Sequence, residues 1–108
     1  MKGSTTSGGS ITTTPAPDAT IVHLSGAIDA GCRPEASEAM AVSLQRQLPV
    51  VLETSEVTSI DTAGMAFLIQ CGTAGRAQGL PVRLPRASSR VTALLDSLGA
   101  DEFFDLAG

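Results

Sequence analysis

The segment between Val50 and Cys71 limits the possible folds more than any other stretch of the chain. It begins with the apolar run 50–52, which is typical of a buried strand, and ends with the mostly apolar run 65–71, which is typical of a buried helix. A short polar break between them contains Asp61 and Thr62. A strand that leads through a break into a helix is half of a strand–helix–strand unit, and such units build sheets with parallel strands.

The remaining hydrophobic patterns extend this arrangement over the whole chain. They predict strands over 11–14, 19–25, 50–54 and 81–84, helices over 34–47 and 63–78, and a last helix that begins at Ser88 or Ser89. Phe103-Phe104 predicts either a short final strand or a packing patch. The order of elements predicts an α/β fold, with a mixed four- to five-stranded β-sheet and three to four α-helices packed on it.

Length and charge exclude several classes of function. The 108 residues suit one domain, and the formal net charge of -4 argues against nucleic acid or an anionic membrane surface as a partner. No apolar run approaches the roughly 18 residues of a membrane span, and no apolar signal core opens the chain, so we expect a cytoplasmic protein without membrane insertion. Residues 1–10 are small and polar, and we expect a disordered tail or an expression remnant before a domain that covers 11–108.

The side chains most often used in catalysis and metal binding are scattered. Cys32 and Cys71 lie far apart with His23 as the single histidine, so we expect neither a metal site nor another cofactor, and a buried free thiol at Cys71. His23 fits a surface or half-buried strand position better than a catalytic base. Glu53 and Glu56 fit solvated loop charges better than an acid–base pair, because no nucleophile or pocket pattern accompanies them.

The polar break before the second helix is the best candidate for a functional site. Either Asp61 or Thr62 can cap the helix N-terminus, where unpaired backbone N–H groups and the helix dipole favour a phosphate or a negatively charged partner group. A purely structural cap explains the same residues. Sites in parallel sheets form at the carboxyl ends of strands, and the strand 50–54 points its carboxyl end at this break. Asp29 either joins this site or caps the helix that starts near Pro34.

Four short motifs occur in order along the chain. They are Leu24-Ser25-Gly26-Ala27-Ile28-Asp29, Val51-Leu52-Glu53-Thr54-Ser55-Glu56-Val57, Ile60-Asp61-Thr62-Ala63-Gly64-Met65 and a closing run from Leu94 to Phe104. Each motif alone is weak, but the four together, at these spacings, resemble the STAS domain, which is named for sulfate transporters and anti-sigma factor antagonists. The resemblance runs from about Ile11 to Leu106.

The resemblance implies a small bacterial regulator of transcription and no enzyme. In the anti-sigma factor antagonist branch, the first hydroxyl residue after the aspartate is phosphorylated by a partner that is both an anti-sigma factor and a serine/threonine kinase. Carried onto this chain, the phospho-acceptor is Thr62, and the unphosphorylated protein captures the partner and frees a sigma factor. The surface that the resemblance implies for partner binding consists of Asp29, Asp61, Thr62, Ala63, Gly64 and Met65.

A second branch of the same family leaves an alternative open. The run Asp61-Thr62-Ala63-Gly64 also resembles STAS subunits of lipid-transport ABC systems, in which the threonine lies at the contact with the ATPase. In that reading the chain is an interaction subunit that is never phosphorylated. The sequence decides neither between these two partners nor on the oligomeric state.

Overall fold

The computed structural model describes residues 9–87, 89–99 and 104. The strands are β1 (Ser10–Pro15), β2 (Thr20–Ile28), β3 (Val50–Ile60) and β4 (Val82–Arg83), and the helices are α1 (Arg33–Arg46), α2 (Thr62–Ala77) and α3 (Ser89–Ser97), with a 3₁₀ turn at Ala30–Cys32. β1 begins at Ser10, one residue before the predicted strand. Of the tail that the sequence predicts over residues 1–10, residues 1–8 lie outside the described residues.

The sheet is mixed, as the sequence predicts. Its strand order is β1-β2-β3-β4, with β1 antiparallel to β2 and the two later pairs parallel. Helices connect the parallel strands, and both crossovers move in the same direction across the sheet. Because such crossovers are almost always right-handed, α1 and α2 lie side by side on one face. The carboxyl ends of β2 and β3 therefore meet at one edge, where α1 and α2 begin.

β2 and β3 are longer than the sequence predicts. Gly26 does not end β2 but lies within it at φ 74°, and β3 continues to Ile60 instead of ending at 54. The register between the strands shifts twice, between His23 and Ser25 and between Gly26 and Ala27, so that the eleven residues of β3 match the nine of β2. Bulges of this kind leave no periodic signal in a sequence, which is why the predicted strands were too short.

The core is aliphatic. The side chains with at most 1% exposure come from β2, from β3, from the segment after β4 and from all three helices, among them Leu24, Leu52, Leu68, Leu84 and Leu95. Phe104 is also buried and lies in a bend, which agrees with a packing role at this position, and Phe103 is outside the described residues. Gly75 lets α2 approach β4, because a Cβ there would lie 2.5 Å from Val82 Cγ2.

Arg46 joins the end of α1 to the β1–β2 turn. Its guanidinium donates hydrogen bonds to the carbonyl oxygens of Ala16 (2.7 Å) and Ala19 (2.6 Å) and to Thr20 Oγ1 (2.9 Å). Thr20 is fully buried, so the guanidinium satisfies a hydroxyl that water does not reach. The planar fork of arginine suits three acceptors at fixed positions.

Arg46→Ala is expected to lower the free energy of unfolding by about 3 kcal/mol, because hydrogen bonds to charged groups contribute about 1.5–3 kcal/mol each and are not additive. Urea denaturation measures the loss. Arg46→Lys, which keeps the charge but not the fork, should lose less, and Arg90→Ala on the exposed side of α3 should lose almost nothing. Equal losses for Arg46→Ala and Arg90→Ala would contradict the role of the guanidinium.

Thr54 in β3 offers the opposite case. Its side chain is fully buried, like that of Thr20, but its Oγ1 has no hydrogen-bond partner among the groups the structure describes. Thr54→Val is therefore expected to stabilise the protein by about 1 kcal/mol, because it removes a buried unsatisfied hydroxyl. Thr20→Val is expected to destabilise it by a similar amount, since Arg46 loses an acceptor. Thermal unfolding of both variants checks the prediction, and shifts of the same sign would disprove it.

Candidate functional site

The site forms where β2 and β3 end together. Ile28 and Ile60 are paired across the parallel ladder at its last register position. Asp29 and Asp61 are the first residues after the two strands, so the two segments that the sequence singles out leave the sheet side by side. The backbone N–H of Asp61 donates to the carbonyl oxygen of Ile28 at 3.2 Å, which ties the two chain segments together.

Asp61, and not Thr62, is the cap of α2. Its backbone is extended (φ -104°, ψ -171°), and its Oδ1 accepts a hydrogen bond from the N–H of Gly64 at 3.0 Å. Thr62 is the first residue of the helix, and both Asp61 and Thr62 are exposed. The cap therefore leaves the threonine hydroxyl at the surface, within the first turn, where the positive end of the helix dipole lies.

Asp29 also caps a turn, although not the predicted one. Its Oδ1 accepts a hydrogen bond from the N–H of Gly31 at 2.9 Å and so caps the 3₁₀ turn at Ala30–Cys32. The prediction that Asp29 caps the helix near Pro34 is wrong in this detail, because α1 has Cys32 at its N-cap position without a side-chain hydrogen bond. The extra turn separates Asp29 from the start of α1, and Asp29 lines the same cavity as Ala63 and Gly64 of α2.

The rest of the Asp61–Met65 motif points inward. Ala63 is half-buried, and Gly64 and Met65 are buried, with Met65 only 4% exposed. The outer surface of the motif thus consists of Asp61, Thr62 and part of Ala63. Partner contacts stay predictions for all six residues of the surface that the resemblance implies.

A groove of about 510 Å³ runs between α1 and α2 away from this edge. Asp29, Ala63 and Gly64 line the end next to the site, and apolar side chains including Met40 and Phe67 line it further along. Met40 and other half-buried residues of α1 are apolar side chains that recur along one face of the helix. This pattern predicts that the face is buried, but a face that packs in the core and a face that lines a groove have the same pattern. No pattern in the sequence therefore predicts this groove.

The side chains considered for a catalytic role lie elsewhere. His23 is exposed, which confirms a surface position, and it is paired in register with Glu53. Glu53 and Glu56 lie in β3 and not in a loop, and Glu53 forms an ion pair with Arg86 at 2.8 Å. Among the described residues, no three histidine, cysteine, aspartate or glutamate side chains come together in a way that could hold a metal ion.

Cys71 is a buried free thiol, as the sequence predicts, and so is Cys32. Burial in the apolar face of α2 raises the pKa of the Cys71 thiol from 9.0 to about 12. A thiol that resists ionisation in this way is a poor nucleophile and metal ligand at neutral pH. Cys71 therefore acts as a small apolar side chain of the core.

No helix in the described part of the chain combines the length and the apolar character needed to cross a membrane. Comparison with curated protein sequences gives no significant match. Comparison with solved structures gives an anti-sigma factor antagonist from Mycobacterium paratuberculosis, 19% identical, with a TM-score of 0.73 over 94% of this chain and 86% of that one. It also gives the protein TM1081, 14% identical, with a TM-score of 0.75 over 88% and 78% of the two chains.

A third similar structure is that of the anti-sigma factor antagonist SpoIIAA in its unphosphorylated form. It is 13% identical to this chain, with a TM-score of 0.68 over 91% of this chain and 89% of SpoIIAA. At such identities these likenesses concern the fold. The sequence profile of the STAS domain matches residues 10–107, almost the whole chain. With four motifs in order, a matching mixed sheet and this profile, the chain belongs to the STAS domain family.

Proposed function

We propose that this protein is an anti-sigma factor antagonist that binds a partner anti-sigma factor and is released when that partner, acting as a serine/threonine kinase, phosphorylates Thr62. One observation supports this above all: the Thr62 hydroxyl lies exposed at the first position of α2, at the edge where two parallel strands end. A kinase reaches a hydroxyl only at such an accessible position. The presence of two antagonists among the similar structures agrees with the proposal.

Phosphorylation at this position acts on the interface more than on the fold. A phosphate adds a charge of about -1.5 to -2 and three acceptor oxygens to Thr62. The positive end of the α2 dipole offsets part of that charge within the domain. A partner surface packed on Thr62 has no such compensation, because it meets a bulky dianion beside the Asp61 carboxylate in a contact from which water is excluded. One modification thus removes one interface without refolding the protein.

In this function the chain itself catalyses nothing and needs no cofactor. The partner kinase supplies ATP and its magnesium, and the chain supplies the acceptor hydroxyl and the surrounding surface. The protein acts in the bacterial cytoplasm, where sigma factors and their regulators meet, and it touches no nucleic acid. In the alternative, an ABC transporter ATPase occupies the same surface and Thr62 stays unmodified.

The proposal is tested by incubating the purified chain with ATP, Mg²⁺ and each anti-sigma kinase encoded by its host, followed by phosphopeptide mapping. We expect one kinase to place one phosphate on Thr62 and to leave Thr62→Ala unmodified. Thr73, which lies exposed on the same helix, provides a matched control because Thr73→Ala should be phosphorylated as fast as the unaltered chain. Phosphate elsewhere, with Thr62→Ala still modified, would refute the proposal, and stable binding of an ABC ATPase without any phosphate would favour the alternative.

A further inference from the structure

We infer that Gly64 is a positioning residue, which holds Thr62 and Asp29 in one fixed arrangement by allowing α2 to begin directly over the carbonyl group of Ile28. The inference deepens the proposed function, on which it rests for the importance of Thr62. Gly64 does not act through a side chain, since it has none. It acts through the space that it leaves and the backbone N–H that it donates.

The Ile28 carbonyl oxygen is the atom at which the two chain segments of the site meet. It accepts the hydrogen bond from the Asp61 N–H at 3.2 Å, and the first turn of α2 packs over the same atom. A Cβ at position 64 would lie 2.6 Å from this oxygen, 2.9 Å from Ile28 Cγ2 and 2.7 Å from Ile60 Cγ1. Since carbon and oxygen atoms in van der Waals contact are farther apart than that, any side chain at 64 forces α2 away from the end of β2.

The same glycine completes the cap of the helix. Its N–H donates to Asp61 Oδ1 at 3.0 Å, so the cap and the close approach are made by one residue. Because the peptide bond after Ile28 is planar, the position of the Ile28 carbonyl group determines where Asp29 begins. Within the first helical turn, the position of Gly64 likewise determines the position of Thr62. Displacing α2 at this point therefore changes the position of the phospho-acceptor relative to Asp29.

Gly75 provides a matched control at the other end of α2. It is buried like Gly64, and a Cβ there would lie 2.5 Å from Val82 Cγ2 and 3.0 Å from the Leu80 carbonyl oxygen. Gly75→Ala therefore also introduces a clash at the inner face of α2, mainly with the Val82 side chain, about three and a half turns away from Thr62. A purely structural role for Gly64 predicts that Gly64→Ala and Gly75→Ala behave alike.

The test is amide hydrogen exchange of the intact chain, followed residue by residue by NMR. In the unaltered protein we expect the Asp61 amide to be protected as strongly as amides of the β2–β3 ladder. Gly64→Ala should speed its exchange at least about 10-fold beyond the change in global stability, and Gly75→Ala should not. Rapid exchange of this amide in the unaltered protein would overturn the inference, even if Gly64→Ala failed to fold.

A kinetic measurement gives the second readout, with the kinase identified by the phosphopeptide mapping above. Gly64→Ala should raise KM or lower kcat for Thr62 phosphorylation by about 10-fold, while Gly75→Ala stays within twofold under conditions where both are folded. Equal effects of the two substitutions on exchange and on kinetics would overturn the positioning role. A chain that no kinase phosphorylates at Thr62 would remove the proposed function, and the exchange comparison alone would then decide whether Gly64 holds the two segments together.

Discussion

Replacing Thr62 with glutamate is expected to weaken capture of the anti-sigma partner by about 100-fold, which corresponds to about 2.7 kcal/mol of binding free energy. The new carboxylate enters a contact from which water is excluded, next to the carboxylate of Asp61, and an unpaired charge in such a contact costs about 3–5 kcal/mol when it is fully buried. Thr62 is exposed in the free protein, and a negative charge is favourable at a helix N-terminus, so the stability should change by less than about 0.5 kcal/mol.

Two matched variants separate charge from size. Thr62→Gln adds the same bulk without the charge and should lose about 10-fold, and Thr62→Ser, which keeps the hydroxyl, should bind almost as well as the unaltered chain. Binding is measured by surface plasmon resonance and folding by thermal unfolding of each variant. Full binding by Thr62→Glu would show that Thr62 lies outside the interface, and a loss that tracks reduced stability would show that the substitution acts through the fold.

Raising the pH from 9 to 12 is expected to cost up to about 4 kcal/mol of stability through Cys71 alone, since three pKa units correspond to about 1.36 kcal/mol each. Burial raises the pKa of this thiol from 9.0 to about 12, so the folded protein keeps it neutral while the unfolded chain ionises it. The contribution of the neutral thiol is complete below pH 9 and is lost progressively as the pH rises towards 12.

The sequence makes this alkaline range easy to interpret. It contains no tyrosine, and Lys2 is its single lysine, so few other side chains change charge there. Urea denaturation at pH 8, 9, 10 and 11 should show a steep loss for the unaltered chain and a shallow one for Cys71→Ala, which starts from lower stability because it leaves a small cavity. Cys32→Ala serves as the control with the other buried thiol. Parallel curves for the unaltered chain and Cys71→Ala would contradict the raised pKa.

The local patterns of the sequence predict much of this fold because most elements satisfy one simple rule. The apolar run 50–52 becomes a buried part of β3, and the run 65–71 becomes the buried face of α2. Where two rules compete, prediction fails. Glycine often ends a strand, yet β2 continues through Gly26 because it is paired with β3 there. The length of β3 depends on two bulges, which exist only once the two strands are paired.

The candidate site follows the same distinction. The residue types at Asp61 and Thr62 predict a cap at the start of α2. Which of the two residues is the cap depends on the backbone conformation, which is extended at Asp61. The position of Asp29 next to this cap depends on a register between strands more than thirty residues apart in sequence, and so does the contact of Gly64 with the Ile28 carbonyl group. Long-range register sets both features, and local periodicity contains no information about it.

The most direct test is isothermal titration calorimetry of the anti-sigma factor with this chain in two forms, one with Thr62 unmodified and one carrying a single phosphate on Thr62. In our account, the exposed Thr62 hydroxyl at the first position of α2 controls partner binding. We therefore expect the unmodified form to bind tightly and the phosphorylated form to bind at least about 100-fold more weakly. Equal dissociation constants for the two forms would contradict the account.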